Sequence, residues 1–344
     1  MIASLGRLPA VLALSAMAAC LLAGALPAAA PEVVCYVTHD QPFSQPVLDR
    51  FEKETGIRVK AVYDTEASKT VGLVNRLIAE KASPLCDVFW NNEPARMLQL
   101  SEKGVLARLE TPASAAIPAA FRDPGNRWFG FGARIRVLVY NTDLVKAQDA
   151  PRSVLDLAAP RWKGRAAIAN PLFGSTSTHI AALAVRLGEP KLRAFLEALK
   201  ANDAQVVAGN AVVREVVAAG TASIGVTDTD DALEAVRSGK PVAMVVPDQE
   251  PGGLGALMLP NTVAVIEGAP HPAQARRLAE FLMSDSVEAQ LAAGDAGQIP
   301  LRPGLKPPPW LSAGKLPVPM AVNLAAAAAR IPLTARMVQD ILVR

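Results

Sequence analysis

The stretch Asp87-Val88-Phe89-Trp90-Asn91-Asn92-Glu93 constrains the fold more than any other: an apolar run fit for a buried strand ends abruptly in three polar residues. In an open α/β sheet, polar side chains at the carboxyl end of a core strand look into the crevice where ligands bind. The same pattern recurs. Val33 to Val37 ends in Thr38-His39-Asp40, Ile57 to Val62 in Tyr63-Asp64-Thr65-Glu66, and Ser223 to Val226 in Thr227-Asp228-Thr229-Asp230-Asp231. Four such strand ends converging on one cleft read as a binding site for a small polar ligand.

Strand and helix patterns alternate from Val33 onward, the signal for a mostly parallel sheet with helices on its faces. Apolar helical stripes fall at Val71, Val74, Leu77 and Ile78, at Leu192, Phe195, Leu196 and Leu199, and at Leu278, Phe281 and Leu282; all read as core. A long strand from Phe129 to Tyr140 breaks the short-element rhythm. A second glycine-rich strand, Gly252 to Met258, is followed by Pro260-Asn261-Thr262. Two such crossings predict that the chain leaves one lobe, builds another and returns, with a hinge under the cleft. Prolines at 303, 307, 308 and 309 exclude regular helix there, so this segment wraps the surface before a closing helix that includes Ala325 to Arg330.

Residues 1–30 pair Arg7 with an apolar block, Leu8 to Leu26, and end in Ala28-Ala29-Ala30, which is the pattern of a cleavable secretory signal peptide. Periplasmic export is the expectation, with a lipid anchor at Cys20, in Met17-Ala18-Ala19-Cys20, as the alternative. No other stretch is long and apolar enough to span a bilayer. The chain has 35 basic and 32 acidic side chains; without Arg7, 34 against 32 leaves a net charge of +2. That balance and the scarcity of aromatic residues argue against nucleic acid as a partner. Cys35 and Cys86 each open a core strand, and an exported chain permits either a disulfide or two buried thiols.

Glu52-Lys53-Glu54-Thr55-Gly56-Ile57, Asp87-Val88-Phe89-Trp90, Tyr140-Asn141-Thr142, Pro160-Arg161-Trp162-Lys163-Gly164 and Pro260-Asn261-Thr262-Val263-Ala264 carry a family likeness. In that order they resemble extracellular solute-binding proteins of ABC importers, in the branch that handles ferric iron, thiamine, polyamines and phosphonates. The resemblance implies a two-lobed type II periplasmic-binding-protein fold. Lobe 1 would hold residues 31–132 plus 262–302, and lobe 2 residues 133–261 plus 303–344. It also implies a monomer with no cofactor that closes on a ligand and delivers it to permease subunits. Ferric-binding members of the branch present adjacent tyrosines. This chain has only Tyr36, Tyr63 and Tyr140, and offers Thr227-Asp228-Thr229-Asp230-Asp231 at the corresponding place.

Asp228, Asp230 and Asp231 suit a hard cation or an ammonium group, and one of them is expected to cap the helix beginning near Ala232. On the other rim stand Asp40, Glu66, Asn91, Asn92 and Glu93, with Asn92 read either as a cleft residue or as a cap. A metal, if bound, would draw on His39, Glu66, Asp228 and Asp230. Gly174-Ser175-Thr176-Ser177-Thr178-His179 opens a helix; Ser175 and Thr176 there, with Arg134, form an anion half-site, ordinary capping being the alternative. Asn210, Thr227 and Thr229 complete the candidates. Both charge signs together fit a small zwitterion such as an aminophosphonate, or a cation such as ferric ion with a synergistic anion. The rival is an exported α/β hydrolase built on Ser175, His179 and Asp228. The chain lacks a dinucleotide fingerprint, a phosphate loop, a Gly-x-Ser-x-Gly elbow and zinc spacing, so a non-enzymatic binding protein is expected.

Overall fold

The structure, a computed structural model, describes residues 30–64, 71–311 and 316–343. The first part of the chain forms β1 (Glu32–Val37), α1 (Gln41–Thr55), β2 (Arg58–Tyr63), α2 (Val71–Ala79), β3 (Val88–Asn91), α3 (Pro94–Glu102) and the short α4 (Pro112–Ala115). Side chains alternate across these strands as the two-residue period requires. Val33, Cys35 and Val37 share one core with Val47, Leu48 and Phe51 of α1. Tyr36 and Phe89 face the other way, against Leu73 and Leu77 of α2 and Met97 and Leu100 of α3. Each fully buried Leu or Phe of this kind contributes roughly 1.5–3 kcal/mol.

The long strand β4 (Phe129–Asn141) then leads into β5 (Ala166–Ala169), α5 (Gly174–Leu187), α6 (Glu189–Ala201), β6 (Gln205–Val207), α7 (Asn210–Ala218), β7 (Ile224–Asp228), α8 (Thr229–Arg237) and β8 (Val242–Val245). Return comes through β9 (Met258–Val265), followed by α9 (Pro272–Leu282), α10 (Asp285–Ala293) and the closing helix α11 (Leu324–Val338).

The strand order is β2-β1-β3-β9-β4-β7-β5-β6, with β8 also on β4. β1 runs parallel to β2 and β3, and β5 runs parallel to β6 and β7. Between these groups stand the two crossing strands. The first part of β4, Phe129 to Ile135, pairs antiparallel with β9, and Arg136 to Asn141 pairs antiparallel with β7 and β8. β9 also pairs with β3. The result is two lobes, each a mostly parallel sheet covered by helices, joined by two hinge strands. In each lobe the strand arriving from the other side is inserted next to the third local strand, which breaks the sequential strand order.

Gly132 marks the place where β4 begins to leave its first partner. The register shifts between Phe131 and Ala133, Gly132 sits at φ 49°, and a Cβ there would meet Gln298 Oε1 at 2.7 Å. Only glycine takes this backbone conformation without strain. The kink aims the following alternate residues, Arg134 and Arg136, toward β7. Helix α11 packs along α5 and also reaches α3, so the chain end lies against both lobes.

Cys35 and Cys86 are free, and they pack in cores on opposite faces of the first sheet. Burial pushes both thiols well above their ordinary pKa, so neither is a reactive thiolate. No helix among the described residues is long and apolar enough to cross a membrane.

Candidate ligand-binding cleft

Arg134 and Arg136 lie two residues apart on β4, so both side chains project from the same side of the strand. Arg136 is in register with Asp228, the last residue of β7. Arg134 Nε donates to Asp228 Oδ2 and Arg136 Nη1 to Asp228 Oδ1, both at 2.8 Å. Ser175 Oγ and Asn210 Nδ2 also donate to Asp228 Oδ2, at 2.8 and 3.0 Å. Arg136 further reaches Ser175 Oγ, Asn210 Oδ1 and Thr176 Oγ1. Two guanidinium groups thus share one carboxylate, and three further side chains from two helices, Ser175, Thr176 and Asn210, hold the group in place.

All three charges are buried. Burial penalises the Asp228 carboxylate, but Arg134 and Arg136 outweigh that penalty and hold it well below the usual carboxylate range. For Arg134, burial works against its charge, and Asp228, Asp230 and Asp40 reverse the sign and raise its pKa. Burial, with Arg136 nearby, pushes His179 down to about 3, so its ring is neutral at ordinary pH. Removing an ion from water costs several kcal/mol, so such a group persists only as a set.

Three helices begin at this point, and none has a side-chain cap: α5 follows Phe173, α7 follows Gly209 and α8 follows Asp228. Their N-cap residues leave the first amides uncapped, although in α8 Asp231 N finds Asp230 Oδ1, and the three helix dipoles add positive potential. The caps expected of a Ser or Thr at α5 and of an aspartate at α8 are not made. Phe173 stands where the first cap would be, and both Asp228 oxygens face the arginines. α8 also starts at Thr229, three residues earlier than the sequence indicated.

A cavity of about 30 Å3 lies over this group, lined by Asp40 and Asn92 from one lobe and by Arg134, Gly174, Ser175, Asn210, Asp228, Asp230 and Asp231 from the other. Asp228, Asp230 and Asp231 bring carboxylate oxygens within 4.8 Å of one another. Arg134 is 2 % exposed, and its Nη1 has no hydrogen-bond partner.

The other sequence candidates do different work. Thr227 Oγ1 bonds to Asn210 O and Asp231 Oδ2, and Thr229 Oγ1 accepts from Ile135 N. Thr176 supports Arg136 from behind the cavity. His39 stacks on Phe43 and places Nε2 3.1 Å from Gln298 Nε2. Asn91 accepts from Thr38 Oγ1 at 2.9 Å. Glu93 is the cap of α3, accepting from Ala95 N and Arg96 N, so the cap considered for Asn92 belongs to its neighbour. Glu93 also accepts from Thr178 Oγ1 of α5, a bond that spans the two lobes. Glu66 lies outside the described residues.

Arg136 is the residue that sequence reasoning missed. Its signal was present, since strand periodicity places it beside Arg134. Among the described residues no tyrosine lines the cavity: Tyr36 bonds to Glu80, Tyr63 to Gln45, and Tyr140 belongs to the core.

Two lobes joined by β4 and β9 over an enclosed charged cavity define a cleft-type solute-binding protein. Comparison with known proteins agrees. Residues 47–318 match the family model described as bacterial extracellular solute-binding protein, and the chain belongs to that family. It is 28 % identical over 273 residues to iron uptake protein A1 of Synechocystis sp., covering 76 % of this chain and 73 % of that one. It is 27 % identical over 270 residues to a putative 2-aminoethylphosphonate-binding periplasmic protein of Salmonella paratyphi A, covering 78 % and 77 %. The fold matches that of apo ferric ion-binding protein A from Pasteurella haemolytica with a TM-score of 0.81 at 23 % identity, over 91 % of this chain and 98 % of that one. The protein is thus the substrate-binding component of an ABC importer and works with permease subunits. Its family consists of solute-binding proteins rather than enzymes, and the hydrolase alternative finds no support.

Proposed function

We propose that the solute is a small zwitterion, with 2-aminoethylphosphonate as one example. The observation that carries this reading is Arg134 Nη1, a buried donor without a partner beside a cavity that four carboxylates also line. A phosphonate or carboxylate head would take that donor together with the open amides at the start of α5. An ammonium group would lie against Asp40, Asp230 and Asp231. A neutral sugar would leave these charges desolvated and uncompensated.

A second reading is a ferric ion with a synergistic anion, favoured by the grouping of Asp228, Asp230 and Asp231 oxygens. Against it, both Asp228 oxygens are committed to arginines, and no phenolate is at hand. Thermal unfolding with each solute separates the two. At about 100 times its dissociation constant, 2-aminoethylphosphonate is expected to stabilise the protein by roughly 2.7 kcal/mol. Stabilisation by ferric citrate and none by 2-aminoethylphosphonate would replace the first reading with the second.

The lobes are proposed to comprise 31–132 with 262–302, and 133–261 with 303–344; the change of partner along β4 after Ile135 supports this division. The mature protein is proposed to be a periplasmic monomer that has lost residues 1–30, and the alanine-rich end of that segment supports cleavage over an anchor at Cys20. Intact mass of the exported protein decides between the two.

A further inference from the structure

The cavity at Arg134 is too small for a whole organic solute. Its roughly 30 Å3 is room for little more than a bound water or a compact head group, whereas small-molecule sites span about 300–1,000 Å3. Next to it lies a chamber of about 540 Å3, and Asp40 and Asp231 line both spaces. We propose that this chamber receives the body of the solute, an amine larger than the two-carbon arm of 2-aminoethylphosphonate, whose acidic head sits at Arg134. The inference rests on the zwitterion reading and adds the size and chemistry of the rest of the molecule.

The walls favour a cationic body with an apolar face. Phe43 is half-buried and its ring is held against His39 at 5.7 Å between centroids, which fixes an aromatic face at one side. An ammonium group over such a face is attracted by the ring quadrupole. Pro42 and Ala211 add apolar surface. Four acidic residues, Asp40, Asp231, Glu234 and Asp295, stand against two basic ones, Arg214 and Arg237. Both arginines are already engaged, Arg214 with Glu215, Glu234 and Asp231, and Arg237 with Asp295. The lining thus carries more acidic than basic side chains, a balance that suits a cationic group on the ligand. Both lobes build it, and the Arg237–Asp295 pair, at 3.4 Å, joins them at the rim, so closure would complete the chamber and the cavity together.

Titration calorimetry with inorganic phosphate, 2-aminoethylphosphonate and phosphocholine on the full chain tests this. Phosphocholine is expected to bind at least tenfold more tightly than 2-aminoethylphosphonate. Ala211→Trp, which fills the chamber, and Phe43→Ala, which removes its aromatic wall, are each expected to lower the phosphocholine-to-phosphate affinity ratio at least tenfold. Equal affinities for the two amines, or a ratio that neither substitution changes, would overturn the inference while leaving the Arg134 site standing. If Arg134→Gln leaves the affinity for 2-aminoethylphosphonate unchanged, the zwitterion reading itself fails. Binding of none of the three solutes overturns both.

Discussion

The two rims of the cleft use the same strand-end pattern for opposite purposes. On the first lobe the polar residues after β1 and β3 form a mostly neutral network. Thr38 Oγ1 lies 2.9 Å from Asn91 Oδ1 and 3.0 Å from Asn92 Oδ1, Thr262 Oγ1 donates to Asn91 O, and Glu93 caps α3. On the second lobe the residues after β5 and β7 hold Asp228 between two arginines and leave Arg134 Nη1, at the cavity, and Arg136 Nε without hydrogen-bond partners. The first arrangement bonds largely within itself and shapes a wall. In the second an acceptor for Arg134 is missing, and that shortfall is the reason to look for a ligand there.

The largest expected effect separates the rims by stability. Arg136→Leu removes one of the two arginines gripping a buried carboxylate, and the loss should be about 3–5 kcal/mol in urea unfolding. Asn91→Ala, on the neutral rim, should cost nearer 1–3 kcal/mol. Similar losses at both sites would erase the contrast.

Ligand response comes next. Asp230→Ala should abolish the roughly 2.7 kcal/mol of solute-induced stabilisation expected near saturation. Asn92→Ala, the first-lobe side chain on the same cavity, should keep most of it. The reverse result in thermal melts would move recognition to the other rim.

Acid sensitivity should also follow the second lobe. His179 stays neutral in the fold down to about 3, whereas an unfolded histidine takes up a proton near pH 6.5. The unfolded state therefore binds more protons between those values, and stability falls as pH falls, by about 1.4 kcal/mol per pH unit from this group. Asp228 acts lower: its depressed native pKa gives stability that is complete above the ordinary carboxylate value near 4 and is lost as pH drops below it. His179→Gln should flatten the stability profile between pH 4 and 6, and an unchanged slope there would remove the ring as its source.

The smallest effect tests the bond between the rims. Thr178→Val deletes the hydroxyl that reaches Glu93 across the lobes and should cost on the order of 1 kcal/mol. A loss that appears only with solute bound would mark this contact as specific to the closed form.

Much of the fold was legible because strands and helices alternate with clear periods and because β4 is too long for one lobe. The cleft was legible as a place, since Asp40, Asn92, Arg134, Ser175, Asn210, Asp228 and Asp230 do meet at one cavity. Their division of labour was not. Asp228 read as a ligand residue and as one of three candidate caps, yet two arginines consume it, and the register that pairs it with Arg136 joins residues 92 positions apart. Asn92 and Glu93 exchange the role of cap because backbone geometry, rather than residue type, decides which of them precedes the first turn. The chamber beside Phe43 was invisible because α1, α7 and α8 reach it from separate parts of the chain.

The most direct test is calorimetric titration of 2-aminoethylphosphonate into the wild-type protein and into Arg134→Gln. Saturable binding by the wild type, weakened at least a hundredfold by the substitution, is the predicted outcome. Equal affinity in the two proteins would contradict the account, because it would mean that the one unpartnered guanidinium nitrogen at the cavity meets no part of the solute.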